Sequence, residues 1–354
     1  MIPSLRYGII VPGENVMKRT RRRFLAELGS VLAFGAGMAG GSEAGLPPGS
    51  RSRLQMQRSG ELRERGKKLW SMMESCELCP RMCGARRLEG EAGFCGATSQ
   101  LTVSSYHPHF GEERPLVGRG GSGTIFLTHC SLRCVFCINY DISHHGDGVD
   151  RDIEAMSRMM LELERMGCSN INIVTPTHYS PHVVLALDRA VEKGLTLPLV
   201  WNTCGWERLE ILRILDGIVD IYLPDFKYWD PEMAAKYSDG ARGYPEVTRK
   251  ALLEMQRQVG TAHPEPDGVM KRGLMIRHLV MPNNVSGSVA IVKWIADNLP
   301  KDTYLNIMSQ YTPAYLAPNY PDIARRITRD EYLEVVEAAQ MAGLTNLDVQ
   351  GTPR

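Results

Sequence analysis

From Gly123 onward, short runs of apolar, often β-branched residues alternate with amphipathic helical segments, and this alternation restricts the fold more than any other feature. Thr124–Leu127, Asn170–Val174, Leu199–Asn202, Val219–Phe226, Leu274–Val280 and Tyr304–Met308 read as strands, with Leu347–Val349 as a last short one. Between them Ile153, Met156, Met159, Met160, Leu163 and Met166 recur at helical spacing, and Gly167 stops that helix. Ser180 and Pro181 read as the N-cap and first-turn proline of the next helix, closed by Gly194. Further helices are expected over 207–215, 231–237, 246–259 and 286–298, and Thr328 with Glu331 forms a capping box for another ending near Gly343. The strands are apolar on both faces, as buried parallel strands are. The expected fold class is therefore α/β, a partial or near-complete parallel (β/α) barrel with right-handed crossovers. In such folds chemistry collects where the strands end.

The nine cysteines are grouped: Cys76, Cys79, Cys83 and Cys95 form one set, Cys130, Cys134 and Cys137 another, and Cys168 and Cys204 stand apart. Spacings this short in a 354-residue chain read as metal or cluster sites rather than as a disulfide framework. Cys130–Cys137 is C-x3-C-x2-C, placed at the end of the first strand. Three thiolates on a four-iron cluster leave one iron without a protein ligand, and the amino and carboxylate groups of S-adenosylmethionine (SAM) can chelate it. The competing readings are a zinc knot completed by His129 or His144, or three buried cysteines.

At these residues the chain resembles the radical SAM superfamily. Gly111-Glu112-Glu113, Gly121–Phe126, Cys137-Ile138-Asn139-Tyr140, Asn170–His178 and Tyr222–Tyr228 are similar to homologues of the pyruvate formate-lyase activating enzyme, over roughly Cys76 to the C-terminus. Ile138 stands where that pattern usually has Gln. The resemblance implies a barrel of the radical SAM type over 111–354 with a cysteine-rich cap at 70–110. It also implies reductive cleavage of SAM by a [4Fe-4S] cluster to a 5′-deoxyadenosyl radical, and hydrogen abstraction, with a glycine of a glycyl radical enzyme as the natural target. A small molecule or another protein side chain is the alternative target, and a zinc or iron–sulfur scaffold without catalysis the alternative function. An electron donor such as a ferredoxin or flavodoxin is the implied partner.

The strand ends supply candidates for holding SAM: Thr175, Thr177 and His178 after the second strand, Asn202 at the third, Asp225 and Lys227 at the fourth, and Arg277 in the fifth. The Gly-Gly-Glu stretch that meets the SAM amino group in better-known members is missing after the second strand. By similarity to activating enzymes, Asp225, Lys227 and Arg277 lead this set: a carboxylate suits the ribose or amino group, and cations suit the SAM carboxylate. Tyr311 and Tyr315 are read as packing residues that also suit a substrate mouth, and Cys168 and Cys204 as small buried residues.

Cys76-Glu77-Leu78-Cys79-Pro80-Arg81-Met82-Cys83, with Cys95, completes a closed four-thiol site. It suits structural zinc, a second iron–sulfur cluster or, in an exported chain, disulfides. Arg21-Arg22-Arg23-Phe24-Leu25, the Gly-rich stretch to Gly41 and Ser42-Glu43-Ala44 resemble a twin-arginine export signal over 1–44, which implies the periplasm, with the cytoplasm as the alternative. The polar stretch at 45–69 is expected to be a linker or exposed helix outside the core. A formal net charge of +1 leaves no footprint for nucleic acid, and no run of 18 apolar residues suits a membrane span.

Overall fold

The computed structural model describes residues 48–351, so the export signal expected at 1–44 lies outside the described residues. Nine strands form one sheet: β1 (Leu101–His109), β2 (Ser122–Leu127), β3 (Val149–Arg151), β4 (Ile171–Val174), β5 (Leu199–Thr203), β6 (Ile221–Pro224), β7 (Gly273–Leu279), β8 (Tyr304–Met308) and β9 (Leu347–Val349). Their order is β3-β1-β2-β4-β5-β6-β7-β8-β9. From β2 through β9 every pairing is parallel, as strands covered on both faces require. Ile171, Ile173, Val200, Trp201, Ile221, Tyr222 and Leu223 are all fully buried. The sheet is open, with β3 and β9 as its edges, which makes it a partial barrel. Registers Phe126↔Val174, Val174↔Asn202 and Asn202↔Leu223 bring the carboxyl ends of the strands to one rim.

The helices follow from capping and burial. In α5 (Ile153–Arg165) the Asp152 side chain accepts from the Ala155 amide, while Met156, Met159, Met160 and Leu163 are buried. In α11 (Arg329–Met341) the Thr328–Glu331 capping box closes as expected. The crossover α6 (Ser180–Glu192) differs in detail. A 3-10 turn over Thr177–Tyr179 runs directly into it, so Tyr179 rather than Ser180 is the N-cap.

Two features depart from expectation. The stretch read as a linker or exposed helix carries two helices, α1 (Pro48–Arg58) and α2 (Glu61–Ser71), packed on α6. Leu62 and Leu69 are fully buried there, at roughly 1.5–3 kcal/mol each. Arg53, 1% exposed, pairs with Asp220 just before β6 and donates to the Leu197 carbonyl at 2.8 Å. The second departure is β1, antiparallel to β2 and carrying β3 antiparallel on its other side. Among the described residues no helix is long and apolar enough to cross a membrane.

Candidate active site

The loop leaving β2 carries C-x3-C-x2-C. His129 and Arg133 within it hold φ of 65° and 54°, and Thr175 after β4 holds 59°. Such angles in non-glycine residues cluster at functional sites because surrounding structure must enforce them. The enforcing contacts are present. The Val135 amide donates to the Tyr237 carbonyl at 2.9 Å, and the Leu316 amide donates to the Val135 carbonyl at 2.9 Å. The Ser238 hydroxyl donates to Cys134 Sγ at 3.2 Å and the Ser143 hydroxyl to Cys137 Sγ at 3.1 Å.

Cys130, Cys134 and Cys137 line one cavity of about 340 Å³ at the strand-end rim. Among the described residues no three His, Cys, Asp or Glu side chains close on a point as a single metal ion requires. Neither imidazole weighed as a fourth ligand lines that cavity. His144 Nε2 engages the Cys134 carbonyl at 3.0 Å, and His129 Nδ1 engages Thr128 Oγ1 at 2.9 Å. Three thiols around a void, two of them already receiving hydroxyl hydrogen bonds, fit a cluster with one open iron better than a zinc knot.

Cys204, one residue past β5, lines the same cavity as Cys130. The two thiols act on each other in opposite senses: the neighbouring Cys204 lowers the Cys130 thiol, while Cys130 and burial raise that of Cys204. Sequence reading took Cys204 as a small buried residue, because its approach to Cys130 spans two strands. Gly205 sets that approach. Its φ is +78°, and a Cβ there would stand 2.2 Å from the Asp225 carbonyl oxygen. Cys168 is buried away from the cavity.

Of the strand-end candidates, Thr175, Asn202, Asp225, Lys227 and Arg277 line the cavity, and Thr177 and His178 do not. The 3-10 turn carries the last two away from the rim. Thr177 Oγ1 donates to the buried Glu207 carboxylate at 2.7 Å, and His178 Nε2 donates to the Thr128 carbonyl at 2.8 Å. Burial, then the nearby Arg87 guanidinium, pushes the His178 imidazole down to about 3, so it stays neutral.

The four polar residues form one ion network. Asp225 Oδ2 lies 2.7 Å from Lys227 Nζ, while Arg277 Nε donates to Asp225 Oδ1 at 2.8 Å and Nη2 to Asn202 Oδ1 at 2.7 Å. Burial opposes charge on Asp225, but Arg277 and Lys227 outweigh it and hold the carboxyl below the usual range. Glu112 and Glu113, which carry no role in the sequence beyond a family-like stretch, both belong here. Glu112 accepts from Asn172 Nδ2 at 2.7 Å, Asn202 Nδ2 at 3.1 Å and Arg277 Nη1 at 3.4 Å. Glu113 accepts from Asn306 Nδ2 at 3.0 Å and leaves its other oxygen without a partner. Burial raises the Glu113 carboxyl to about 7, Arg277 opposing and Glu112 adding to the rise. Adjacent acids between β1 and β2 were the only available signal.

Tyr311 both packs and lines the cavity: it is 2% exposed and its hydroxyl donates to the Ile323 carbonyl at 2.7 Å. Tyr315 stacks on Tyr140, with ring centres 5.2 Å apart.

Cys76, Cys79 and Cys95 are buried, Cys83 is exposed, and all are free thiols. Turns hold them together: the Cys76 amide donates to the Ala85 carbonyl at 3.0 Å and the Gly96 amide to the Gly93 carbonyl at 2.8 Å. A Cβ on Gly93 would stand 3.5 Å from both Cys83 Sγ and Cys95 Sγ. Arg81 lies between Cys79 and Cys83 and donates to the Ser131 carbonyl at 3.0 Å, inside the C-x3-C loop.

Residues 124–262 match the Radical SAM superfamily. An uncharacterized protein of Methanocaldococcus jannaschii, MJ0674, is 32% identical over 289 residues, covering 79% of this chain and 77% of the relative. Crystal structures of Streptococcus suis SuiB, one bound to S-adenosylmethionine, align at 14% identity over 63% of this chain, with TM-scores of 0.45 and 0.44. This chain spans about half the length of SuiB, 48% and 47% in the two structures. The chain therefore carries a radical SAM superfamily domain over residues 124–262 and belongs, over most of its length, to one family with the M. jannaschii protein.

Proposed function

We propose that the chain is a radical SAM enzyme in which Cys130, Cys134 and Cys137 hold a [4Fe-4S] cluster. The single observation that carries this reading is three thiols sharing one strand-end cavity with the Asn202–Asp225–Lys227–Arg277 network. When bound, cluster and SAM supply one-electron cleavage of a carbon–sulfur bond and hydrogen abstraction from a substrate.

The chain's own residues bind, orient and shield. The Ser238 and Ser143 hydroxyls stabilise thiolate charge on Cys134 and Cys137. Thr175, Asn202, Asp225 and Lys227 are the proposed SAM contacts, Lys227 as the cation for its carboxylate. Arg277 acts as an organiser, because its donors already serve Asp225, Asn202 and Glu112. Phe136 and Tyr311, with ring centres 5.9 Å apart, keep water from one wall.

The target in this reading is a glycine of a glycyl radical enzyme, and the electron source a ferredoxin or flavodoxin. The resemblance to activating enzymes supports the target, as does the rim residue Ile138, 68% exposed beside the cavity, where a polypeptide would dock. The test is anaerobic reconstitution followed by reduction with SAM. Formation of 5′-deoxyadenosine and methionine is expected, with a stable radical signal on the partner. A colourless protein inert toward SAM would favour the scaffold.

A further inference from the structure

We propose that Tyr244, which lies outside the cavity, is a positioning residue for SAM: it locks the loop after β5 to the loop after β6 and so fixes where Asp225 and Lys227 stand. The inference rests on the radical SAM reading of the site.

The sheet alone does not hold these loops. Pairing of β5 with β6 ends at Thr203↔Pro224, and one more hydrogen bond follows, from the Asp225 amide to the Thr203 carbonyl at 2.9 Å. Cys204, Asp225 and Lys227, which line the cavity, all stand past that end. There α9 (Tyr244–Val259) takes over through its first residue. The Tyr244 hydroxyl accepts from the Lys227 amide at 3.0 Å and shares its one proton between the carbonyls of Cys204, at 2.8 Å, and Asp225, at 2.9 Å. Two carbonyl oxygens aimed at one point repel unless a donor stands between them. A phenol supplies that donor and, on the same atom, an acceptor for the amide.

The ring is held between the same two loops. Tyr244 is fully buried. Trp206, from the loop after β5, stacks on it with ring centres 5.8 Å apart. Tyr228, from the loop after β6, meets it edge-on at 5.6 Å. Gly205 leaves room for the hydroxyl, since a Cβ there would stand 3.3 Å from its oxygen. One turn along α9, the buried Thr248 hydroxyl donates to the Gly205 carbonyl at 3.1 Å.

The consequence falls on SAM. Asp225 and Lys227, paired at 2.7 Å through their side chains, both spring from backbone that this one hydroxyl fixes. Removing it leaves the Lys227 amide without its acceptor and the two carbonyls without their shared proton, so the loops part and the cation for the SAM carboxylate shifts. The cluster thiols hang from the loop after β2 and keep their own donors, Ser238 and Ser143.

The test compares two deletions of a buried phenol hydroxyl at the seam between β6 and α9. Tyr222 is also fully buried, and its hydroxyl donates to Gln258 Oε1 at 2.7 Å, but it does not line the cavity and does not touch the two loops. SAM is titrated into the reduced, anaerobically reconstituted proteins, and the change in the electron paramagnetic resonance (EPR) signal gives the Kd. Tyr244→Phe should keep full iron and the SAM-free signal of wild type but bind SAM about tenfold more weakly. Tyr222→Phe should lose a similar few degrees of Tm and bind SAM as wild type does. Wild-type affinity in Tyr244→Phe, or equal weakening in both variants, overturns the proposal. If Tyr244→Phe does not fold, Thr248→Val frees the Gly205 carbonyl alone, and about threefold weaker binding is expected, with an unchanged Kd again overturning it. Failure of the parent reading shows separately, as a wild-type signal that SAM does not perturb.

Discussion

Arg277 and Asp225, 52 residues apart, meet at 2.8 Å through Nε and Oδ1, and their backbones form an isolated parallel bridge that extends the pairing of β6 with β7. The same guanidinium reaches Glu112 and Asn202, so one cation holds four elements of the rim together. Truncating it leaves buried carboxylates without compensation. Arg277→Met should cost about 3–5 kcal/mol, read from the urea midpoint. Arg277→Met with Asp225→Asn should cost less than the sum of the single changes, and additivity would show that the pair does not couple.

Glu113 sets a pH dependence. Its carboxyl is raised by burial to about 7 from an ordinary 4.5. The folded protein therefore holds this proton more tightly than the unfolded chain. The resulting stabilisation is full below about pH 4.5 and lost as pH rises through about 7. Between pH 5 and 8 the wild type should lose on the order of 1–3 kcal/mol relative to Glu113→Gln, followed by urea unfolding across that range. Parallel curves for the two proteins would contradict the assignment.

The Ser238 and Ser143 hydroxyls should tune the Cys130 centre. Hydrogen bonds to cluster sulfurs raise the reduction potential, so Ser238→Ala and Ser143→Ala should each lower it by roughly tens of millivolts. Redox titration followed by EPR reads the shift, and a potential unmoved in both variants would remove these contacts from the account.

Gly205→Ala tests the approach of Cys204 to Cys130. A positive φ of +78° and a Cβ 2.2 Å from the Asp225 carbonyl oxygen leave nothing flexible to yield. The expected loss is about 2–4 kcal/mol, seen as a fall in Tm, together with weaker SAM binding. A stable variant with wild-type affinity would mean that the two strand ends tolerate separation.

What was legible in the sequence follows from how locally each feature is determined. β8 at Tyr304–Met308, β9 at Leu347–Val349, α8 (Pro231–Tyr237) and the Thr328 cap fall where apolar runs, proline and capping residues place them. The three cysteines were legible because their spacing is set within eight residues. β1 was not, because only Leu101 and Val103 of its nine residues are buried and His107, Pro108 and His109 dilute the alternation. Residues 48–71 look polar, yet Arg53 is neutralised by Asp220, 167 positions away. Glu112 acquires meaning only when Arg277, 165 positions on, folds against it. His178 lies in the 3-10 turn that follows β4, buried and outside the cavity lining, a placement the strand-end rule does not resolve.

The central claim is tested most directly by EPR of the reduced, anaerobically reconstituted protein with and without SAM. Wild type should show a reduced four-iron signal that changes shape when SAM is added, and Cys134→Ser should abolish that SAM-sensitive signal along with 5′-deoxyadenosine formation. A wild-type spectrum indifferent to SAM, or a SAM-sensitive spectrum that survives Cys134→Ser, would contradict the account.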